Sequence, residues 1–241
     1  MRRVRRAIGW AVGIGTALVL AVLLWASVRG RPQDLPWTPL DLGQPPGLFT
    51  AGKLAALGRD APQCRALLDR AGVRYAALPA GGDGPRCGYA DGVRFAPGGA
   101  RRIAMRPASV GMACPVAAAL AIWEWSVVQP AAQRHFGASV VAIDHLGSYN
   151  CRHIAGRESW SEHATADAID VAGFRLSDGM RITVLHDWKG SGAKAAFLRE
   201  VRDGACTVFT TTLSPDYNAA HADHLHLDEA DRGTMGWRAC R

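Results

Sequence analysis

Twenty-two consecutive residues without a charge, Ala7 to Val28, follow a tip that carries Arg2, Arg3, Arg5 and Arg6. No other feature constrains the chain as much. About 20 apolar residues cross a bilayer as a helix, and a basic flank stays cytoplasmic, which sends the remainder outward. A cleaved signal peptide would have an apolar core of about 7–15 residues and a small-residue cleavage site. This run is longer, and Leu24-Trp25-Ala26-Ser27-Val28 makes a poor cleavage site. Residues 1–28 therefore read as a basic tip and an uncleaved transmembrane anchor. No Cys ends the run, which argues against lipid attachment there.

The anchor also accounts for the charge. The net value is +7, which at first suggests nucleic acid. Six of the 28 Lys and Arg lie at positions 2, 3, 5, 6, 29 and 31; the 22 left face all 21 Asp and Glu, so residues 32–241 carry about +1. The basic balance is a topology signal, and no nucleic-acid partner is expected. All six cysteines (Cys64, Cys87, Cys114, Cys151, Cys206 and Cys240) lie beyond the anchor. An even count in an exported domain predicts three disulfides, and no C-x-x-C pair points to a cysteine metal site. Of the 15 possible pairings, only Cys64 with Cys87, the closest in sequence, attracts a choice.

Pro32, Pro36, Pro39, Pro45 and Pro46 make residues 29–49 read as an extended tether. Residues 50–241 form the expected folded domain, 50–110 as a helical and looped subdomain and 111–241 as the core. Thr50 is placed to cap a helix over 51–57. Asp60 is placed to cap a second, with Pro62 in its first turn and Leu67, Leu68 and Ala71 on its apolar face. Gly81 to Pro85 reads as a loop and Gly88 to Phe95 as a strand. Cys114-Pro115 opens the strongest helix, which Gly137 ends. Strands are expected over 140–146, 166–174, 180–185, 206–212 and 224–227, the second and third joined as a hairpin by Ser177-Asp178-Gly179, with a helix over 193–201. The fold class is α+β: a small antiparallel sheet with flanking helices, after the transmembrane helix.

The chemistry lies in Ser161-Glu162-His163-Ala164-Thr165-Ala166-Asp167-Ala168-Ile169-Asp170 and in His221-Ala222-Asp223-His224-Leu225-His226. Two His and one carboxylate are a ligand set for catalytic zinc, which keeps its fourth position for water. Alternate strand residues share a face, so Asp170 faces away from Ile169 and Val171, and His226 away from Leu225 and Leu227. His163, Asp170 and His226 can then converge on Zn2+, with Ser161 fixing the loop through a local hydrogen bond. Asp223 and His224 are the candidates to handle the water's proton. Arg152 is the candidate to stabilise an oxyanion or grip substrate. His135, His145, His153 and His186 read as ordinary solvated histidines.

Ser161-x-His163-x-x-Ala166-x-Ala168-x-Asp170 resembles the Ser-x-His-x-x-Gly-x-Ala-x-Asp signature of D-Ala-D-Ala carboxypeptidases and related peptidoglycan peptidases, a group that includes lysostaphin-type enzymes and the hedgehog signalling domain. His221-x-x-His224-x-His226 is similar to the terminal motif of penicillin-insensitive murein endopeptidases, and Ser148-Tyr149-Asn150-Cys151-Arg152 to the segment before that group's first zinc ligand. The stretch from about Cys64 to Cys240 most resembles the bacterial extensin-like C-terminal domain family. The resemblance implies zinc on His163, Asp170 and His226 and a substrate contact for Arg152. It leaves the base open among Asp223, where the group commonly has Glu, His224 and the supporting His221. Together with the anchor read above, it implies a single-pass protein of the bacterial inner membrane whose periplasmic domain is a zinc metallopeptidase acting on peptidoglycan stems or crosslinks, of D,D- or L,D-type. The rival is a non-catalytic, zinc-containing envelope-binding module.

Overall fold

The structure is a computed structural model and describes residues 2–84, 86–232 and 238–241. Helix α1 (Arg2–Arg29) contains the uncharged run, and its described side chains are exposed on every side. It is long and apolar enough to cross a membrane. Helix α2 (Thr50–Ala56) begins at Thr50, whose hydroxyl accepts from Gly47 N at 2.8 Å instead of capping the turn. Helix α3 (Ala61–Arg70) starts as expected, with Asp60 accepting from Gln63 N at 3.0 Å. Strands β1 (Val73–Ala77) and β4 (Val93–Gly99) pair antiparallel, as do β2 (Gly81–Gly84) and β3 (Cys87–Tyr89). The stretch read as a loop from Gly81 is therefore one arm of a hairpin; Pro85 lies outside the described residues.

The main sheet follows. Its strands are β5 (Ala104–Arg106), β6 (Val140–Gly147), β7 (Ala168–Leu176), β8 (Arg181–Thr183), β9 (Thr211–Leu213), β10 (Leu225–Asp228) and β11 (Ala239–Cys240). The order runs β11-β9-β10-β7-β6-β5, with β8 also on β7. The centre is antiparallel, but β5 joins β6 and β11 joins β9 in parallel. The expected all-antiparallel sheet is thus corrected at both edges: chain from the N-terminal part and the C-terminus arrives by long connections, which permit parallel pairing.

One face of this sheet packs on α4 (Cys114–Trp123), a single π turn (Glu124–Val128), α5 (Gln129–Phe136) and α7 (Ala193–Val208); the short α6 (Val184–Asp187) follows β8. Trp123, fully buried, packs against Phe174 and Phe209 and donates Nε1–H to Val201 O at 2.9 Å. The π turn meets α7 at Gly204, where a Cβ would lie 2.2 Å from Val127 Cγ1. Gly204→Ala is expected to cost about 1–3 kcal/mol through overpacking, read as a lower midpoint in urea unfolding.

Three expectations need correction. The disulfides join Cys64 to Cys114, Cys87 to Cys151 and Cys206 to Cys240, so Cys64 does not pair with Cys87. The helix over 193–201 continues to Val208, because Ala205 and Val208 extend its buried face, and the strand expected from 206 begins at Thr211. The Pro-rich segment is not an extended tether: Leu40 and Leu42 are buried in the same core as Leu54 and Leu57.

Candidate metal centre

The strands put the site on the sheet's other face. Ile169, Val171, Leu225 and Leu227 are fully buried in the core. Because β10 pairs with β7 so that His226 lies opposite Asp170, both project from the opposite surface. His163 comes from the 3-10 turn Glu162–Thr165, where Ser161 Oγ accepts from His163 N at 3.3 Å. Ala166 closes that turn with φ 60°, a left-handed conformation. That backbone suits Gly, and Ala there bears a steric cost of about 1–2 kcal/mol.

Nε2 of His163 lies 3.2 Å from Asp170 Oδ1 and 3.1 Å from His226 Nδ1; His226 Nδ1 lies 3.0 Å from Asp170 Oδ1. The outer nitrogens are committed. His163 Nδ1–H donates to Ser148 O at 2.5 Å, and His226 Nε2–H donates to Asp228 Oδ2 at 3.1 Å. A carbonyl cannot donate, so His163 carries its proton on Nδ1 and turns the Nε2 lone pair inward. His226, with Nε2–H given to Asp228, turns Nδ1 inward as well, so three potential ligand atoms face one another around a place for a cation, either a proton on His226 Nδ1 or a metal. Ligands at about 2.0–2.1 Å in a tetrahedral site stand roughly 3.3 Å apart, close to the separations observed. His163, Asp170 and His226 therefore fit a divalent metal, and Ser148 O and Asp228 are the outer acceptors that such histidines use.

Without metal, protons on the two imidazoles take its place beside Asp170. Burial alone would raise the Asp170 carboxyl, but the hydrogen bonds and charge of His163 and His226 outweigh it and hold the group far below the usual carboxylate range. Burial disfavours charge on His226, yet Asp170 and Asp228 push it up to about 9. Burial, followed by the charges of His224 and His226, brings His221 down to about 4.

His226 also lines a cleft of about 380 Å³ whose walls include Arg152, Arg157, Glu162, His221 and His224. His224 Nε2 is 3.4 Å from Asp170 Oδ1, and its Nδ1–H donates to Asp223 Oδ1 at 2.8 Å. Asp223 is half exposed and is not part of the cleft wall, so its place is behind His224, orienting that ring. His221 Nδ1 pairs with Asn218 Oδ1 at 2.7 Å, and its ring lies 5.2 Å from that of His224. Arg152 lies on the loop that the Cys87–Cys151 disulfide holds.

Sequence reasoning missed Asp228, Ser148 and Glu162 as site residues. Asp228 had a signal, since it stands two residues after His226 on one strand and so shares its face. Ser148 acts through its main chain, which leaves no trace in residue type. Glu162 lines the cleft, and burial followed by the charge of Asp228 raises its carboxyl. Of the other histidines, His145 is buried and bonds Pro107 O at 2.7 Å, whereas His135 pairs with Glu200.

Residues 62–241 match the family described as Extensin-like protein C-terminus, and the chain belongs to that family. No curated protein and no solved structure matches the chain.

Proposed function

We propose that this chain is a zinc peptidase of the cell envelope, anchored in the inner membrane by α1 with its domain in the periplasm. Its substrate is peptidoglycan, cleaved at amide bonds of the peptide stems or crosslinks. The observation that carries the reading is the inward convergence of His163 Nε2, Asp170 and His226 Nδ1 beside an open cleft that His226 lines. Zinc held there would supply Lewis acidity and a water whose pKa lies near 7.

The chain's own groups have separable tasks. Ser148 O and Asp228 fix the two imidazoles in the tautomers that leave a lone pair inward. Asp223 does the same for His224, so Nε2 of His224 can take a proton from water and return it to the leaving amine. Glu162 is the second group in the cleft able to move that proton. Arg152 and Arg157 bring positive charge to the wall, where a carbonyl oxygen gaining charge or a stem carboxylate would lie. The competing reading, a zinc-holding envelope-binding module without turnover, is favoured by one observation: the half-exposed Asp223 stands outside the cleft wall.

The test uses the full chain in detergent, loaded with zinc and mixed with isolated sacculi and defined muropeptides. Mass spectrometry is expected to show a newly cleaved amide, absent with a chelator or in His163→Ala. Intact substrate at full zinc occupancy would favour the binding module.

Proton release provides a separate check. Zinc requires the His226 Nδ1 lone pair, and without metal that ring stays protonated up to about pH 9. Binding at pH 7 is expected to expel at least about one proton, so affinity rises with pH and levels above the His226 value. Titration calorimetry in buffers of different ionisation enthalpy measures this; zero release at pH 7 would contradict it.

A further inference from the structure

The segment after the anchor is built into the domain. Gln33, four residues beyond the end of α1, is buried and donates Nε2–H to Asp41 O at 2.8 Å. Phe49 N donates to Gln33 O at 3.1 Å and Leu48 N to Asp34 Oδ1 at 2.7 Å. Lys53 Nζ donates to Pro32 O at 3.3 Å and to Thr38 Oγ1 at 2.9 Å. Leu40 and Leu42 complete the attachment inside the core. Four residues span at most about 14 Å, so the domain has almost no slack.

The same segment carries two conspicuous side chains. Trp37 is 77% exposed and Leu48 65%, more than any other large apolar residue described outside α1. The uncharged run of 22 residues is about 33 Å long as a helix and matches a hydrocarbon core of about 30 Å. Arg29 then stands at the outer headgroups. Residues 30–48 follow within reach of that surface, and Trp belongs at the boundary between apolar chain and water.

We propose that this segment of the domain docks on the outer surface of the same bilayer, with Trp37 and Leu48 seated at the level of the lipid glycerols. The partner is a lipid surface, and continuity with the anchor selects it. The inference rests on α1 remaining uncleaved in the membrane. Docking replaces a loose leash with a fixed seat, so substrate must come to the membrane surface.

The experiment uses the full chain in liposomes containing a lipid with a diazirine near the glycerol. After photolysis, labelled tryptic peptides are mapped by mass spectrometry. Peptide 30–53 is expected to carry label several-fold above peptide 182–189, whose Leu185 is 57% exposed on α6. The double variant Trp37→Ser, Leu48→Ser should lose that label; both side chains lie outside the core. Label on α1 with 30–53 at the level of 182–189 overturns docking, leaves the anchor standing, and assigns the segment to solvent or to a protein. Label on 30–53 that survives the double variant overturns the seating of these two side chains. No label on α1 overturns the anchor reading itself.

Discussion

His163→Ala is expected to lower zinc affinity by more than about 100-fold, whereas Asp228→Asn lowers it by only about 10–100-fold. The difference follows from where each residue stands. His163 offers Nε2 to the centre of the trio, 3.2 Å from Asp170 Oδ1. Asp228 touches only the far nitrogen of His226, at 3.1 Å, so it orients a ligand without being one. Removing His163 leaves two protein ligands, too few for a catalytic zinc site. Asn at 228 keeps an acceptor for His226 Nε2–H but withdraws the charge that supports the ring. Asp223→Asn, two shells from the centre through His224, is expected to leave affinity unchanged and to act on turnover. Competition with a chromogenic chelator ranks all three. Equal losses for His163→Ala and Asp228→Asn would contradict the division into ligand and support.

Replacing both Cys64 and Cys114 by Ala is expected to cost about 4 kcal/mol, the chain-entropy value for a closed loop of this size. The bond spans a sequence separation of 50 and fastens α3 to the first turn of α4. Both sulfurs are buried among Leu67, Leu68 and Val116, so truncation also removes packing. The loss should appear in denaturant unfolding of the variant; reducing the wild type opens all three disulfides and should cost at least as much. A loss below about 1 kcal/mol would mean that the core alone sets the position of α3.

What was legible in the sequence depended on how local the cause was. Asp60 at the start of α3 and Gly137 after α5 were readable because capping acts within one turn. The facing of Asp170 and His226 was readable because strand period is two. The disulfides were not, since pairing depends on which elements meet and 15 arrangements compete. The segment over 29–49 misled because its prolines suggest extension, while Leu40 and Leu42, the residues that bind it to the core, look isolated between them. Cys206 to Thr212 reads as a strand by side-chain type, yet Ala205 and Val208 continue the spacing of Phe197, Leu198 and Val201 and keep the first part helical. Asp223 stands three residues before His226 along the chain. It lies just before β10 begins, where alternation no longer predicts facing, and it turns to the back of His224.

The most direct measurement is metal content together with X-ray absorption at the zinc edge, on the purified full chain. One zinc per chain, with two imidazole nitrogens, one carboxylate and a remaining light ligand exchangeable with solvent, is the predicted result. A chain that takes up no zinc, or holds it by four protein ligands with no open position, would contradict a hydrolytic centre at His163, Asp170 and His226.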